Sequence, residues 1–364
     1  MKSVKNTAPT VFVGMSGGVD SSVAAALLKE QGYHVVGVYM KNWSRDLPGM
    51  KCPWAEDLAD AKRVAVLLDI DFLVFDFEAE YKNKVVDYML AEFKKGRTPN
   101  PDIMCNQEIK FKLFYDVSRE KGADFIATGH YAQVQDDQLL RATDENKDQT
   151  YFLYRMSSEA LQRTLFPVGH LTKPEVKKLA EKYGLPNAHK KESMGVCFVG
   201  EVDIRDFLKQ YIAVQPGEIR EAETEQVLGH HEGVYFYTIG QRHGLYLGGG
   251  LPYYVVKKDI KNNIVYVSKN LNAADLWVSE LELEDVVWRI KGAREQLEEA
   301  GKLFVRLRHR APLIPATFDG QKVIFAEPIK RVAAGQSVVF YGAKNGKASQ
   351  AADAKICLGG GIVK

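Results

Sequence analysis

The run Ser16-Gly17-Gly18-Val19-Asp20-Ser21-Ser22 concentrates residue types suited to holding an anion. Two adjacent glycines let the backbone turn tightly and bring N–H groups close to a negative charge. Ser16, Ser21 and Ser22 add hydroxyls. A helix beginning here would point its unpaired N–H groups and partial positive charge at the same place. Such a cradle suits nucleotide phosphates, with Gly14, Met15, Ser16, Gly17, Gly18, Val19, Asp20 and Ser21 as candidate contacts. Asp20 is placed to help hold a magnesium ion on those phosphates. No GxxxxGK[ST] occurs, so the loop is not of the Walker type. A lone Gly-Gly pair would read equally well as a plain strand–turn–helix junction capped by serine; the full seven-residue run outweighs that reading.

Thiols offer a second chemistry. The chain has four cysteines, Cys52, Cys105, Cys197 and Cys357, far apart and without CxxC or metal-knuckle spacing. That excludes a disulfide scaffold and suits a reducing cytoplasm. Cys52 and Cys357 read as buried small hydrophobes. Cys105 lies in Gly96–Asn106, which holds two prolines, and Cys197 lies in the glycine-bearing segment Ser193–Gly200. Both contexts predict exposed functional loops. Replacing a carbonyl oxygen by sulfur needs an activated oxygen and a soft sulfur nucleophile, which ATP and a cysteine persulfide supply.

The elements that must position these groups alternate. Val11–Gly14, Val35–Met40, Phe72–Phe75 and Phe125–Thr128 read as strands. Segments 21–31, 55–68, 81–94 and 109–121 read as helices. The alternation predicts an α/β fold, a doubly wound parallel sheet, over residues 1–168. Residues 169–230 read as a small central linker domain with helices over 173–183 and 203–211. Residues 231–364 carry short β-branched and aromatic runs, 234–239, 253–257, 264–267, 303–307, 323–326 and 338–341, and are expected to form an antiparallel β-barrel. At 364 residues, 46% hydrophobic and 26% charged, the chain can build more than one core. A net charge of +2 sets up no whole-molecule field for nucleic acid, so any basic surface is local. The start, MKSVKNTAPT, has neither a secretory apolar run nor a basic transit face, and no membrane span is expected.

The SGGVDSS run resembles the PP-loop of ATP pyrophosphatases, which cleave ATP between its α- and β-phosphates to adenylate a substrate. Further segments narrow the resemblance: Met40-Lys41-Asn42-Trp43, Gly96–Asn106, Ala127-Thr128-Gly129-His130-Tyr131, Asn146-Lys147-Asp148-Gln149, Ser193–Gly200 and Cys357–Gly361. Together, in order and nearly end to end, they resemble the tRNA-specific 2-thiouridylase (MnmA/TrmU) family. Met194 departs from it, standing where a threonine is usual. The resemblance implies ATP-dependent thiolation of the wobble uridine, with tRNA bound at its anticodon loop and a sulfur-relay protein or cysteine desulfurase as persulfide donor. It implies Cys197 as persulfide carrier, Cys105 as second thiol, Asp102 as general acid/base, and Met40 and Gly129 at the nucleotide. It implies tRNA contacts at Asn100, Pro101, Asp102, His130, Lys147, Asp148, Gln149, His309 and Gln336.

Lys302–Arg310 alternates apolar and basic residues; on a strand, Arg306, Arg308 and Arg310 would share one outward face and reach phosphates. The run Lys94-Lys95-Gly96-Arg97 is a second basic candidate for guiding the anticodon stem. Three alternatives stay open. A PP-loop ligase acting on a small metabolite would need neither paired cysteines nor a basic barrel. A non-catalytic RNA-binding protein would not need the intact loop. Asp102, Cys105 and Cys197 would also suffice as three ligands of an iron–sulfur cluster carrying the sulfur.

Overall fold

The computed structural model describes residues 8–46, 52–191, 204–248, 250–289, 303–343 and 348–364. The chain divides into two compact units. One comprises Met1–Val85, Asp102–Val202 and Lys355–Cys357; the other comprises Val86–Pro101, Asp203–Ala354 and Leu358–Lys364.

The first unit is built on a five-stranded parallel sheet. Its strands are β1 (Thr10–Gly14), β2 (His34–Lys41), β3 (Asp71–Asp76), β4 (Phe125–Thr128) and the two-residue Thr164–Leu165, in the spatial order β3-β2-β1-β4 and then 164–165. β1 reads TVFVG and β2 HVVGVYMK; these near-continuous apolar runs are buried on both faces, as strands inside a parallel sheet require. Helix α1 (Val19–Glu30) buries Val23, Ala24 and Leu28, and helix α2 (Trp54–Leu67) buries Ala61 and Val64. The order reverses at β1, whose neighbours are β2 on one side and β4 on the other. The carboxyl ends of β1 and β4 therefore flank the crevice where open α/β sheets take ligands.

Two elements depart from the sequence expectation here. The helix expected over 109–121 begins at Pro101, running Pro101–Met104, then a π-helical stretch Cys105–Leu113, then Phe114–Glu120. Proline at a first helical position lacks only an N–H that would be unpaired anyway, so the proline that looks like a loop signal is a helix start. The helix Lys173–Lys182, placed by the sequence reading in a central linker, belongs to the first unit. Its Val176 and Ala180, with Leu185, share one buried cluster with Val23, Ala24 and Leu28 of α1. A Thr172–Glu175 capping box starts it.

In the second unit, β8 (Gly217–Glu221), β9 (Val227–His231), β10 (Tyr254–Asp259) and β11 (Ile264–Ser268) form a four-stranded sheet ordered β10-β11-β8-β9, with β11 parallel to β8 (numbering counts the short strands Gln133–Gln135, Gln138–Leu140 and Thr164–Leu165 as β5, β6 and β7). The expected strand over 234–239 is instead a single 3-10 turn, Val234–Phe236. The barrel proper is shorter than expected. It comprises β12 (Trp277–Trp288), β13 (Leu303–Arg306), β14 (Ile314–Phe318), β15 (Lys322–Lys330), β16 (Ser337–Gly342) and β17 (Ile356–Val363), ordered β12-β15-β14-β13-β16-β17 and closed by β12 pairing β17. Closure removes the edge strands that a six-stranded open sheet would leave. Among the described residues no helix is long and apolar enough to cross a membrane.

Candidate nucleotide and sulfur-transfer site

The loop after β1 is held by its carbonyls. Gly17 O accepts a hydrogen bond from Asn187 Nδ2 at 2.8 Å. Gly18 O accepts from the hydroxyls of Ser21 at 3.1 Å and Ser22 at 2.9 Å. In a trans peptide the C=O and N–H point opposite ways. Pinning both carbonyls inward therefore turns the N–H groups of Gly18 and Val19 the other way, the Gly18 N–H donating to Ser16 Oγ at 3.4 Å. Helix α1 has Gly18 as its N-cap and no side-chain cap, so its first N–H groups are not taken by one. The result is the anion cradle expected from sequence, with one change: Ser21 and Ser22 spend their protons on Gly18 O and act as braces. Met15 is buried in the core, so only its backbone is offered.

Two glycines are required by close approach. Gly17 has φ +76°, and a Cβ there would lie 2.3 Å from Asp57 O of α2. A Cβ on Gly129, just after β4, would lie 2.5 Å from Ser21 N and 2.7 Å from Asp20 C. Backbone thus packs on backbone at the amino end of α1. At the end of β2, Met40 Cε lies 2.9 Å from the Cβ position of Gly14. Met40 therefore lies beside the start of the loop.

Asp20 is not an unengaged metal ligand. Its Oδ1 accepts from Lys173 Nζ at 2.6 Å and Tyr131 OH at 3.0 Å. Lys173 is 7% exposed, and its own N–H donates to Asp144 at 2.9 Å. The Lys173 ammonium already balances the carboxylate, so the residues present do not fit the assignment of magnesium to Asp20. Lys173, Tyr131 and Asn187 were not singled out in the sequence. They come from a helix start and two loops distant along the chain, and no local spacing marks them. Lys190 Nζ reaches Asp57 at 2.7 Å and Asp60 at 2.6 Å, tying residues beyond Asn187 to α2.

Cys105 opens the π-helical stretch and is 1% exposed. It is a buried helical residue, not the exposed loop residue expected. Its helix starts early because Pro101 nucleates it, and π segments recur at functional sites. Asp102, half-buried, lies in the first turn of the same helix. Further along, Lys110 and Phe111 meet His130, which follows β4. Lys110 Nζ is 3.5 Å from His130 Nε2, Thr128 Oγ1 is 2.8 Å from Nδ1, and the Phe111 and Phe166 rings flank the imidazole. An ammonium at Nε2 requires that nitrogen to accept, which leaves Nδ1–H to donate to Thr128. Burial first, and Lys110 second, hold the His130 pKa well below the usual 6.5. His130 is therefore neutral at pH 7. Since the unfolded imidazole titrates near 6.5, the unfolded chain takes the proton first, and stability falls as pH drops below that value. Urea denaturation at pH 7.5 and 5.5 checks this: wild type loses more stability between the two than His130→Gln.

Cys52, half-buried, is pushed up in pKa by burial and by Asp46, Asp57 and Glu78, which keeps it a protonated, poorly nucleophilic thiol. Cys357 is buried. Cys197, with Met194 and the rest of Ser193–Gly200, lies outside the described residues, as does Lys302.

The RNA-contact candidates separate. Asp148 is 1% exposed, and its Oδ1 accepts from Ala142 N, Thr150 N and Thr150 Oγ1; it braces a turn and does not face solvent. Gln149 Oε1 accepts from Tyr131 N at 2.8 Å. Lys147 is half-buried, as are Asn100, Pro101 and His309. Gln336 Nε2 donates to Thr98 O at 2.7 Å. Strand β13 ends at Arg306, which is 4% exposed with its guanidinium 5.2 Å from the Tyr341 ring centroid. The three arginines therefore do not share an outward face: the alternation stops, and only Arg308 and Arg310 are exposed beyond it, Arg310 with φ +62°. Arg97 is committed to Glu92 and Glu284, and Lys95 to Glu92.

Family profiles cover nearly the whole described chain. A tRNA methyl transferase HUP domain matches residues 9–201, a tRNA methyl transferase PRC-barrel domain matches 205–269, and an aminomethyltransferase beta-barrel domain matches 278–363. The chain is 45% identical over 368 residues to a protein of Listeria monocytogenes serotype 4a named tRNA-specific 2-thiouridylase MnmA, covering 99% of this chain and 96% of that one. It is 47% identical over 365 residues to the protein of the same name from Nitrosomonas eutropha, covering 97% and 98%. The chain belongs to the tRNA-specific 2-thiouridylase family. A third member, from Streptococcus thermophilus CNRZ 1066, is 45% identical over 373 residues, covering 98% of this chain and 96% of its own. Membership extends through both units, so this family's α/β unit and its two β-rich domains are all present.

Proposed function

We propose that this chain converts the wobble uridine of tRNA to 2-thiouridine, using ATP to activate the uracil 2-oxygen and a cysteine persulfide to supply sulfur. The observation that carries the reading is the match, over 99% of the chain, to a relative named for that activity. The inward-turned carbonyls of Gly17 and Gly18 support the ATP half, because they leave N–H groups for phosphate.

In this reading the backbone of Gly14–Ser21 holds the ATP phosphates, Met40 and Gly129 border the nucleotide, and Lys173 holds Asp20 at the start of α1. The 2-oxygen of uracil attacks the α-phosphorus, and pyrophosphate leaves. The terminal sulfur of a Cys197 persulfide then attacks C2. The Cys105 thiolate cleaves the S–S bond, AMP departs with the original oxygen, and a Cys105–Cys197 disulfide remains for a thiol reductant. Asp102 moves the proton at the uracil ring. His130 borders the target nucleotide. No step runs through magnesium at Asp20 or through an iron–sulfur cluster on Asp102, Cys105 and Cys197. Residues 1–85 and 102–202 form the ATP-dependent catalytic part, and the barrel and the four-stranded sheet bind tRNA. A cytoplasmic sulfur-relay protein or cysteine desulfurase charges Cys197.

The test incubates the protein with ATP, magnesium, a persulfide donor and an unmodified tRNA transcript. The expected products are 2-thiouridine by nucleoside mass spectrometry, AMP and pyrophosphate. Release of ADP and phosphate, or no thiolated nucleoside, overturns the reading.

At the barrel, Arg308→Ala is expected to weaken tRNA binding for all substrates alike and to flatten the log-affinity against log-salt slope by up to about 1. Arg306→Ala, which loses a buried guanidinium, is expected to lower thermal stability instead. Fluorescence anisotropy over a salt series, with thermal melts, checks both.

A further inference from the structure

Tyr246 is 91% exposed and sits at φ +53°, a left-handed backbone that an L side chain of its size seldom adopts. The surrounding segment holds it there. Before it, Gly240 N donates to Val255 O at 2.7 Å, Val255 N to Gln241 O at 2.9 Å, and Thr238 N to the Gln241 side chain at 2.9 Å. Gln241 Nε2 in turn donates to His243 O at 2.8 Å. Gly244 O accepts from Arg205 at 3.3 Å, and Arg205 is itself held by Glu232 at 3.0 Å. Immediately before Tyr246, Leu245 is buried; immediately after it, Leu247 packs over Gly229, which has no side chain in the way. Both neighbours point inward and are anchored, so the aromatic ring between them is presented to solvent on a fixed pedestal. Arg242 and His243, both exposed, stand four and three residues before it.

A solvent-facing aromatic on a left-handed backbone costs the fold something and returns nothing to its core, which points to a ligand. The chemistry is that of a stacking platform for an unpaired nucleobase with an arginine for the adjoining phosphate. We propose that Tyr246 stacks on an unpaired nucleotide of the tRNA and that Arg242 contacts its backbone. This rests on the reading of tRNA as substrate. The backbone that carries the ring is held before binding, so no loop has to be ordered when a base covers it.

The experiment measures binding of an unmodified wobble-uridine tRNA transcript by anisotropy, with thermal melts in parallel. Tyr246→Gly relieves the left-handed backbone, so its melting temperature should equal or exceed that of wild type. Its tRNA affinity should nevertheless fall roughly 5- to 150-fold, the range of one lost stacking contact, with an unchanged salt slope. Tyr246→Phe and Tyr246→Trp should retain affinity, and the new tryptophan's emission should be quenched by tRNA. Arg242→Ala should instead flatten the slope by up to about 0.7. A merely structural tyrosine cannot give higher stability with weaker binding. Unchanged affinity of Tyr246→Gly overturns this proposal alone; failure of the wild-type protein to bind tRNA overturns the substrate reading and the proposal with it.

Discussion

Cys105→Ser is expected to eliminate 2-thiouridine formation, by a factor on the order of 10³ or more, while pyrophosphate is still released in a single turnover. Serine conserves the size of the thiol but is a far weaker nucleophile towards the persulfide S–S bond at neutral pH. In the proposed mechanism adenylation precedes sulfur transfer and uses groups of the phosphate loop, so it does not need this thiol. Burial of Cys105 raises a second effect, since the more polar hydroxyl replaces a thiol inside the core. Cys105→Ala removes that complication and should be equally inactive. Cys197→Ser should behave alike in thiolation and should, in addition, fail to accumulate a protein-bound sulfane sulfur from the donor. Cys52→Ser should retain most activity, because burial and three carboxylates keep that thiol unreactive. Retention of wild-type turnover by Cys105→Ala would remove it from the chemistry.

Gly129→Ala is the second large effect, and it acts on the first half-reaction. The added methyl would lie 2.5 Å from Ser21 N and 2.7 Å from Asp20 C, both backbone atoms of the amino end of α1. Neither a rotamer change nor a side-chain shift can make room, so the strand end and the helix end must separate. Overpacking of this kind costs about 1–3 kcal/mol, and here it displaces the N–H groups that form the cradle. ATP-dependent pyrophosphate release should fall at least about tenfold through a raised KM for ATP. The affinity for tRNA should change little. Equilibrium binding of ATP and of tRNA by the same variant checks the separation; equal loss of both would mean that the fold, not the cradle, has been damaged.

The nucleotide half of the site was legible because it is local. A strand, a Gly-Gly turn and a helix start lie within twenty residues, and their types state the anion chemistry directly. What locks that turn was not legible. Asn187, Lys173 and Tyr131 reach it from more than a hundred residues away and look like ordinary polar residues in their own neighbourhoods. The basic run after Leu303 shows the opposite error. Its alternation is real, but alternation sorts faces only while the strand lasts, and β13 stops at Arg306. Asp148 and Gln149, expected at tRNA from the family resemblance, also brace backbone, through contacts that no local pattern announces.

Periodicity in the chain settles the parallel α/β sheet, the order of its elements and the β-rich second half, because burial of apolar side chains at periods near two and near 3.6 is written into neighbouring residues. The partition of that second half was decided only in three dimensions. GEIRE and VLGHH carry few apolar residues and do not read as strands, yet they pair with each other, and GEIRE with Ile264–Ser268, through backbone hydrogen bonds, which any sequence can make. That pairing detaches Tyr254–Ser268 from the barrel, whose closure then falls to β12 and β17. Likewise the residue types at Cys105 and Tyr246 name a chemistry, sulfur and stacking, but burial of the one and exposure of the other depend on which distant segments cover them, and no local pattern encodes that cover.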